Sequence, residues 1–123
     1  MNTALWIVQI VLAFMFLMAG GMKLMKSKEE LGEQMDWVED FSDNTIKAIG
    51  GLEVLGAIGL ILPAVTGIAP VLVPLAATGL AITMVGATIV HFRRGEMPNV
   101  AVTAMLLVLS VFVAWGRFGD YAF

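Results

Sequence analysis

The chain has 123 residues, of which 59% are apolar and 14% charged, whereas about 25% of the residues in a typical soluble domain are charged. This composition excludes a water-soluble globule and, at this length, a second domain. The lack of cysteine and the formal net charge of −3 exclude disulfides, thiol chemistry and iron–sulfur ligation by the chain itself, and argue against a nucleic-acid partner.

Four apolar segments are long enough, or nearly so, to cross a bilayer as helices. A hydrocarbon core about 30 Å thick needs roughly 20 apolar residues in helix, because no water inside it can satisfy an open backbone. The first segment has no basic residue before its apolar run, so we interpret it as a permanent span. The pattern predicts spans at about 5–25, 46–62, 70–91 and 99–116. Short links predict one all-α, antiparallel four-transmembrane-helix bundle that forms a single membrane domain over residues 1–123.

The longest link predicts a short amphipathic helix over about 28–42, at the membrane interface between the first two spans. Ser27 and Glu30 form an S-x-x-E capping box at its start. Apolar residues then recur at helical spacing, at Leu31, Met35, Val38 and Phe41. The seven acidic residues of this link would repel anionic headgroups, so we expect the helix to dock over the end of the bundle.

The distribution of lysine and arginine predicts the orientation, since these residues are retained on the cytoplasmic side. One side holds Lys23, Lys26, Lys28, Lys47, Arg93 and Arg94, and the other holds Arg117. We therefore expect links 23–45 and 91–99 to be cytoplasmic and both termini to lie outside. Arg93 and Arg94 are interpreted as topology determinants, and Arg117 as an anchor in the outer leaflet.

Glu53 is a carboxylate within a span, where ionised groups are costly and normally face the bundle interior or a wet cavity. If the second span begins near Ile46, a rise of about 1.5 Å per residue places Glu53 roughly 11 Å inside. It shares a face with the small residues Gly50, Gly56 and Ala57, which allow membrane helices to approach closely. We therefore predict that Glu53 points into the bundle.

Three other polar residues are predicted to lie near Glu53 in the same half of the membrane. Lys23 ends the first span, His91 ends the third after a stripe of mostly small residues, and Asn99 opens the fourth. An ammonium, an imidazole, an amide and a carboxylate could bind a polar headgroup or pass protons. Lys23, Glu53, His91 and Asn99 are thus the candidate ligand-binding residues.

A structural interpretation of the same residues remains open. Glu53 could pair with Lys23 and set the register of the helices, and His91 could anchor to headgroups beside Arg93 and Arg94. The sequence supports no metal site, because one histidine cannot provide bis-histidine ligation and the scattered methionines are typical of packing.

The order of these residues resembles the DoxX-like family of small four-span bacterial membrane proteins. The resemblance rests on residues 19–24 (AGGMKL), 51–63 (GLEVLGAIGLILP), 85–87 (VGA) and 91–96 (HFRRGE). It implies a bacterial inner-membrane location and an association with membrane redox systems, since family members include a subunit of a thiosulfate:quinone oxidoreductase. Lys23 and Glu53 belong to the shared pattern, with no role attached to either.

Three functions follow as hypotheses. The first is a redox-associated subunit that binds a quinone or other lipid in the cytoplasmic half of the bundle; any catalysis would then be that of a membrane oxidoreductase subunit, not of a stand-alone enzyme. The second is a non-enzymatic assembly or scaffold protein. The third is an oligomeric transporter or channel, because four spans are few for a monomer. The expected partners are membrane lipids, together with redox-complex subunits or further copies of the chain.

Overall fold

The computed structural model describes residues 1–32 and 41–123, which form five helices. These are α1 (Asn2–Met25), α2 (Lys28–Gly32), α3 (Asp43–Thr66), α4 (Leu72–Arg93) and α5 (Met97–Phe118). The four long helices are long and apolar enough to cross a membrane. At about 1.5 Å per residue, helices of 22 and 24 residues exceed a hydrocarbon core of about 30 Å. The predicted all-α four-helix membrane bundle is confirmed.

Local capping extends α3 beyond the apolar segment from which its span was predicted. The Ser42 hydroxyl accepts a hydrogen bond from the amide of Thr45 at 3.2 Å, so α3 begins three residues before Ile46. At its other end α3 continues past Pro63 to Thr66, and Gly67 follows it in the left-handed conformation (φ 72°) that favours glycine. At 24 residues, or about 36 Å, α3 is longer than a hydrocarbon core of about 30 Å.

The four long helices pack as two antiparallel pairs, α1 with α3 and α4 with α5. Contacts between α3 and α4 join the pairs on one side, and sparser contacts between α1 and α5 join them on the other. Gly20 and Gly50 bring α1 and α3 together, since a Cβ atom added to Gly20 would lie 2.6 Å from the Gly50 carbonyl oxygen. We call the end where α1 ends and α3 begins the Lys23 end, and the opposite end the Arg117 end.

The short helix α2 docks on the Lys23 end of the bundle. The predicted capping box is present, because the Glu30 amide donates to Ser27 Oγ at 3.2 Å and the Ser27 amide to Glu30 Oε1 at 3.4 Å. Leu31 is buried against Ile46, with Phe41 packed beside them. Residues 33–40 of the predicted 28–42 helix, with Met35 and Val38, lie outside the described residues.

Candidate functional site

Lys23 and Glu53 form a buried ion pair at the contact between α1 and α3, with 2.6 Å between Lys23 Nζ and Glu53 Oε1. Helical side chains lean toward the N-terminus of their own helix. In two antiparallel helices, Lys23 therefore reaches inward from the end of α1, and Glu53 reaches outward from the interior of α3. The two side chains meet beside Gly20 and Gly50, whose missing Cβ atoms would lie within 3.0 Å of the Cβ atoms of Glu53 and Lys23.

Lys47 supports the same contact from the next turn toward the interface. Its ammonium donates to the carbonyl oxygens of Lys23, at 2.7 Å, and of Lys26. These are carbonyl groups at the end of α1, where a helix lacks internal partners for its last four carbonyls. Lys47, which was one of the basic residues used to predict the orientation, therefore also caps the C-terminal end of α1.

His91 is held by a carboxylate from the link between α4 and α5. Gly95 adopts φ 73° and turns the chain, so that the Glu96 amide reaches the His91 carbonyl oxygen at 2.9 Å. Glu96 Oε1 then lies 2.8 Å from His91 Nδ1, and Glu96 Oε2 lies 3.4 Å from Arg94 Nε. The hydrogen bond with His91, more than the contact with Arg94, lowers the pKa of Glu96. Because an ionised carboxylate only accepts, the proton between them belongs to His91 Nδ1.

A cavity of about 550 Å³ separates the two helix pairs at the Lys23 end, and all four candidate residues line it. Lys23 and Glu53 contribute from the α1/α3 pair, and His91 and Asn99 from the α4/α5 pair. Among residues 1–32 and 41–123, Thr83 and Thr103 are the other polar residues that line the cavity, and the remaining lining residues are apolar. We call this space the central cavity. The four residues that were predicted to lie in the same half of the membrane thus surround one cavity.

The family model of the DoxX-like family matches residues 7–113. The chain belongs to the DoxX-like family. This confirms the resemblance seen in the sequence, and the matched range includes all the described polar residues that line the central cavity. No curated protein and no solved structure matches the chain.

A second polar cluster of this DoxX-like protein, at the Arg117 end, was missed by the sequence analysis. The interpretation of Arg117 as an outer-leaflet anchor is wrong, because its side chain is buried in the bundle. Arg117 Nε donates to Gln9 Oε1 at 2.7 Å, and Arg117 Nη1 donates to Asn2 Oδ1 at 2.7 Å and to the Tyr121 carbonyl oxygen at 2.9 Å. Gln9 in turn donates to the Leu60 carbonyl oxygen at 2.8 Å, which links α1, α3 and α5.

Two aromatic rings that contact each other also contact the Arg117 guanidinium. The ring centroid of Phe123 lies 4.0 Å from Cζ of Arg117, and that of Trp6 lies 5.7 Å away. Within residues 1–32 and 41–123, no carboxylate pairs with Arg117, and its Nη2 atom is buried without a hydrogen-bond partner. Cation–π contacts and neutral oxygens thus replace a counter-charge. The one available signal was Gln9, an amide in the middle of an apolar span.

The chemistry open to the central cavity follows from its polar groups. Lys23, His91, Asn99 and Thr103 carry hydrogen-bond donors, and Glu53 carries acceptors. An imidazole and a carboxylate are also groups that can exchange protons in a membrane protein. A ligand that presents carbonyl or hydroxyl oxygens on an otherwise apolar body matches such a lining. That Lys23, Glu53, His91 and Asn99 bind a ligand remains a prediction.

Proposed function

We propose that this DoxX-like membrane protein binds the polar head of a quinone-type lipid in the central cavity and serves as a subunit of a membrane redox system. The observation that supports the proposal most directly is one cavity that joins an ion pair, an imidazole and an amide inside an apolar bundle. Its volume of about 550 Å³ lies within the range of about 300–1,000 Å³ that is usual for pockets of small ligands.

The donor set suits a quinone ring. Quinone carbonyl oxygens accept hydrogen bonds, which the Lys23 ammonium and the Asn99 amide can donate. Reduction of a quinone to its quinol adds two electrons and two protons. In the proposal, His91 and Glu53 exchange the protons, and an associated oxidoreductase subunit supplies the electrons.

The proposal places the central cavity in the cytoplasmic half of a bacterial inner membrane. The positive-inside rule assigns the end that carries more basic residues to the cytoplasm. The described basic residues at the Lys23 end are Lys23, Lys26, Lys28, Lys47, Arg93 and Arg94. The burial of Arg117 strengthens this assignment, since it removes from the opposite interface the base that had been counted there. Both termini then lie outside.

The experiment is a binding measurement on the whole chain. The protein is purified in mild detergent, co-purifying lipids are identified by mass spectrometry, and saturable binding of added quinone is measured. We expect the wild type to carry or bind quinone. A wild-type protein that carries none and shows no saturable binding would refute the proposed function.

An asparagine pair gives a matched control for this measurement. Asn99 and Asn44 are both exposed and both lie in the first turn of a long helix, but only Asn99 lines the central cavity. Loss of one hydrogen bond of about 0.5–1.5 kcal/mol corresponds to roughly 2- to 12-fold in affinity. We expect Asn99→Ala to weaken quinone binding by such a factor and Asn44→Ala to leave it unchanged.

A scaffold function is the second candidate, and the Lys23–Glu53 pair favours it because that pair already joins two helices without a ligand. On this alternative, the exposed acids Glu29 and Glu30 of α2 would recruit other membrane subunits. Crosslinking in the native membrane would then give a defined partner, and Glu53→Gln would leave that complex intact. Loss of the complex in Glu53→Gln would instead assign the organising role to the cavity.

A further inference from the structure

Between α3 and α4, residues that line the central cavity are also exposed on the outer surface of the bundle. Leu52 of α3 and Ile82 of α4 line the cavity, yet their exposed fractions are 59% and 67%. On the opposite flank, Val102 of α5 is 47% exposed, but Ala19 of α1 is partly buried. The cavity is therefore open toward the hydrocarbon where α3 and α4 face each other.

Gly86 lies at this opening, one helical turn after Ile82. It lines the central cavity, and a Cβ atom added to it would meet no described atom within 4 Å. The close contact between α3 and α4 occurs farther from the Lys23 end. There, Cβ atoms added to Gly56 and Gly59 would lie 2.6 and 2.8 Å from side chains of α4. Toward the Lys23 end, α3 instead packs on α1, which leaves a gap beside α4.

We propose that the gap beside Gly86 is the passage through which the apolar tail of the bound lipid leaves the central cavity for the bilayer. This inference rests on the proposed function, and it specifies the ligand class as a polar ring that carries a long hydrocarbon or isoprenoid tail. Leu52, Ile82 and Gly86 at the gap carry no polar side chain, whereas the ion pair and His91 lie within the cavity. The polar head is thus held inside, and a tail at the gap meets only apolar surface.

A matched pair of glycines tests the passage. Gly79 and Gly86 lie seven residues apart on one face of α4, both are exposed, and both have open space at the Cβ position. Only Gly86 lines the central cavity. Gly86→Phe should therefore fill the gap, while Gly79→Phe adds the same ring to the same helix two turns away.

The probes are menadione, a naphthoquinone ring without an isoprenoid tail, and phylloquinone, the same ring with a long tail. We expect Gly86→Phe to weaken phylloquinone binding at least tenfold and menadione binding less than threefold, while Gly79→Phe binds both like the wild type. The diagnostic quantity is the ratio of phylloquinone affinity to menadione affinity, which should fall in Gly86→Phe and stay at the wild-type value in Gly79→Phe.

The outcomes separate the passage from the proposed function. If the wild type binds both probes and Gly86→Phe binds phylloquinone unchanged, the passage is refuted while the proposed function stands. If Gly86→Phe loses both probes equally, Gly86 belongs to the head site and the passage is again refuted. If the wild type binds neither probe, the proposed function fails, and the passage fails with it.

Discussion

Removing one member of the Lys23–Glu53 pair should destabilise the bundle more than removing both. The three variants are Lys23→Met, Glu53→Leu and the double substitution, each of which keeps side-chain volume close to the original. Both residues are buried, so either single variant leaves a charge inside the membrane bundle without its partner. The double variant leaves an apolar contact between α1 and α3 in place of the pair.

The magnitude follows from the geometry of the pair. Two unit charges 2.6 Å apart attract each other by about 6 kcal/mol at an effective dielectric constant of about 20. Removal of each ion from water offsets several kcal/mol of that attraction, so replacing the whole pair by apolar groups is close to neutral. Removing one partner of a buried ion pair costs about 3–5 kcal/mol. We therefore expect each single substitution to lower the free energy of unfolding by that amount, and the double substitution to restore most of it.

Unfolding by SDS in mixed micelles, followed by circular dichroism and tryptophan fluorescence, measures these free energies. Glu29→Gln is the control, since Glu29 is an exposed acid of α2 and its substitution should change the free energy by no more than about 0.5 kcal/mol. A solvent-exposed ion pair contributes about 1 kcal/mol or less to the free energy of unfolding. If both single variants lower the free energy of unfolding by no more than that amount, the burial of Glu53 between the helices is refuted.

Three further predictions concern packing, the second polar cluster and pH. Gly20→Val places a Cβ atom 2.6 Å from a carbonyl oxygen of α3 and should cost about 1–3 kcal/mol of unfolding free energy in the same assay; Gly21→Val, which has open space, should not. Gln9→Leu removes partners from a buried carbonyl and a buried guanidinium and should cost about 1–3 kcal/mol for each group left unsatisfied; an unchanged unfolding free energy would contradict the buried cluster. The pKa of Glu96 is lowered chiefly by the hydrogen bond with His91, so its contribution to stability is present above pH 4.5, the usual value, and is lost as pH falls through the lowered pKa. The difference in thermal midpoint between wild type and Glu96→Gln should therefore vanish in acid, whereas a difference independent of pH would contradict this role.

The spans could be predicted because a chain that crosses a bilayer must form a helix. Such a helix needs a run of roughly 20 apolar side chains, which is visible in the sequence. The ends of the spans could not be predicted, since these depend on local capping and not on average composition. Ser42 starts α3 within a polar segment, and Pro63, which looked like the end of a span, lies inside the helix. The extra residues include polar side chains such as Asp43 and Thr66, which are tolerated at a membrane interface.

The two polar clusters differ in how much of each could be predicted. Glu53 is a charge in an apolar span and must face inward, which also favours a partner such as Lys23. Arg117 was misinterpreted because the positive-inside rule counts basic residues near span ends without regard to their burial. Its main acceptor, Gln9, lies 108 positions away in sequence, and that pairing requires the contact between α1 and α5 to be known. The contact of Glu96 with His91 depends likewise on a turn at Gly95.

Several contacts that join the helices of this DoxX-like bundle lie outside the central cavity. Near the Arg117 end, Gln9 connects α1 to α3 and α5, and close packing at Gly56, in the middle of α3, joins α3 to α4. At the Lys23 end, the ion pair acts within the α1/α3 pair, and the hydroxyl contact of Thr88 with Thr103 acts within the α4/α5 pair. A ligand in the central cavity would therefore lie between two helix pairs, each of which has a polar contact of its own at the Lys23 end.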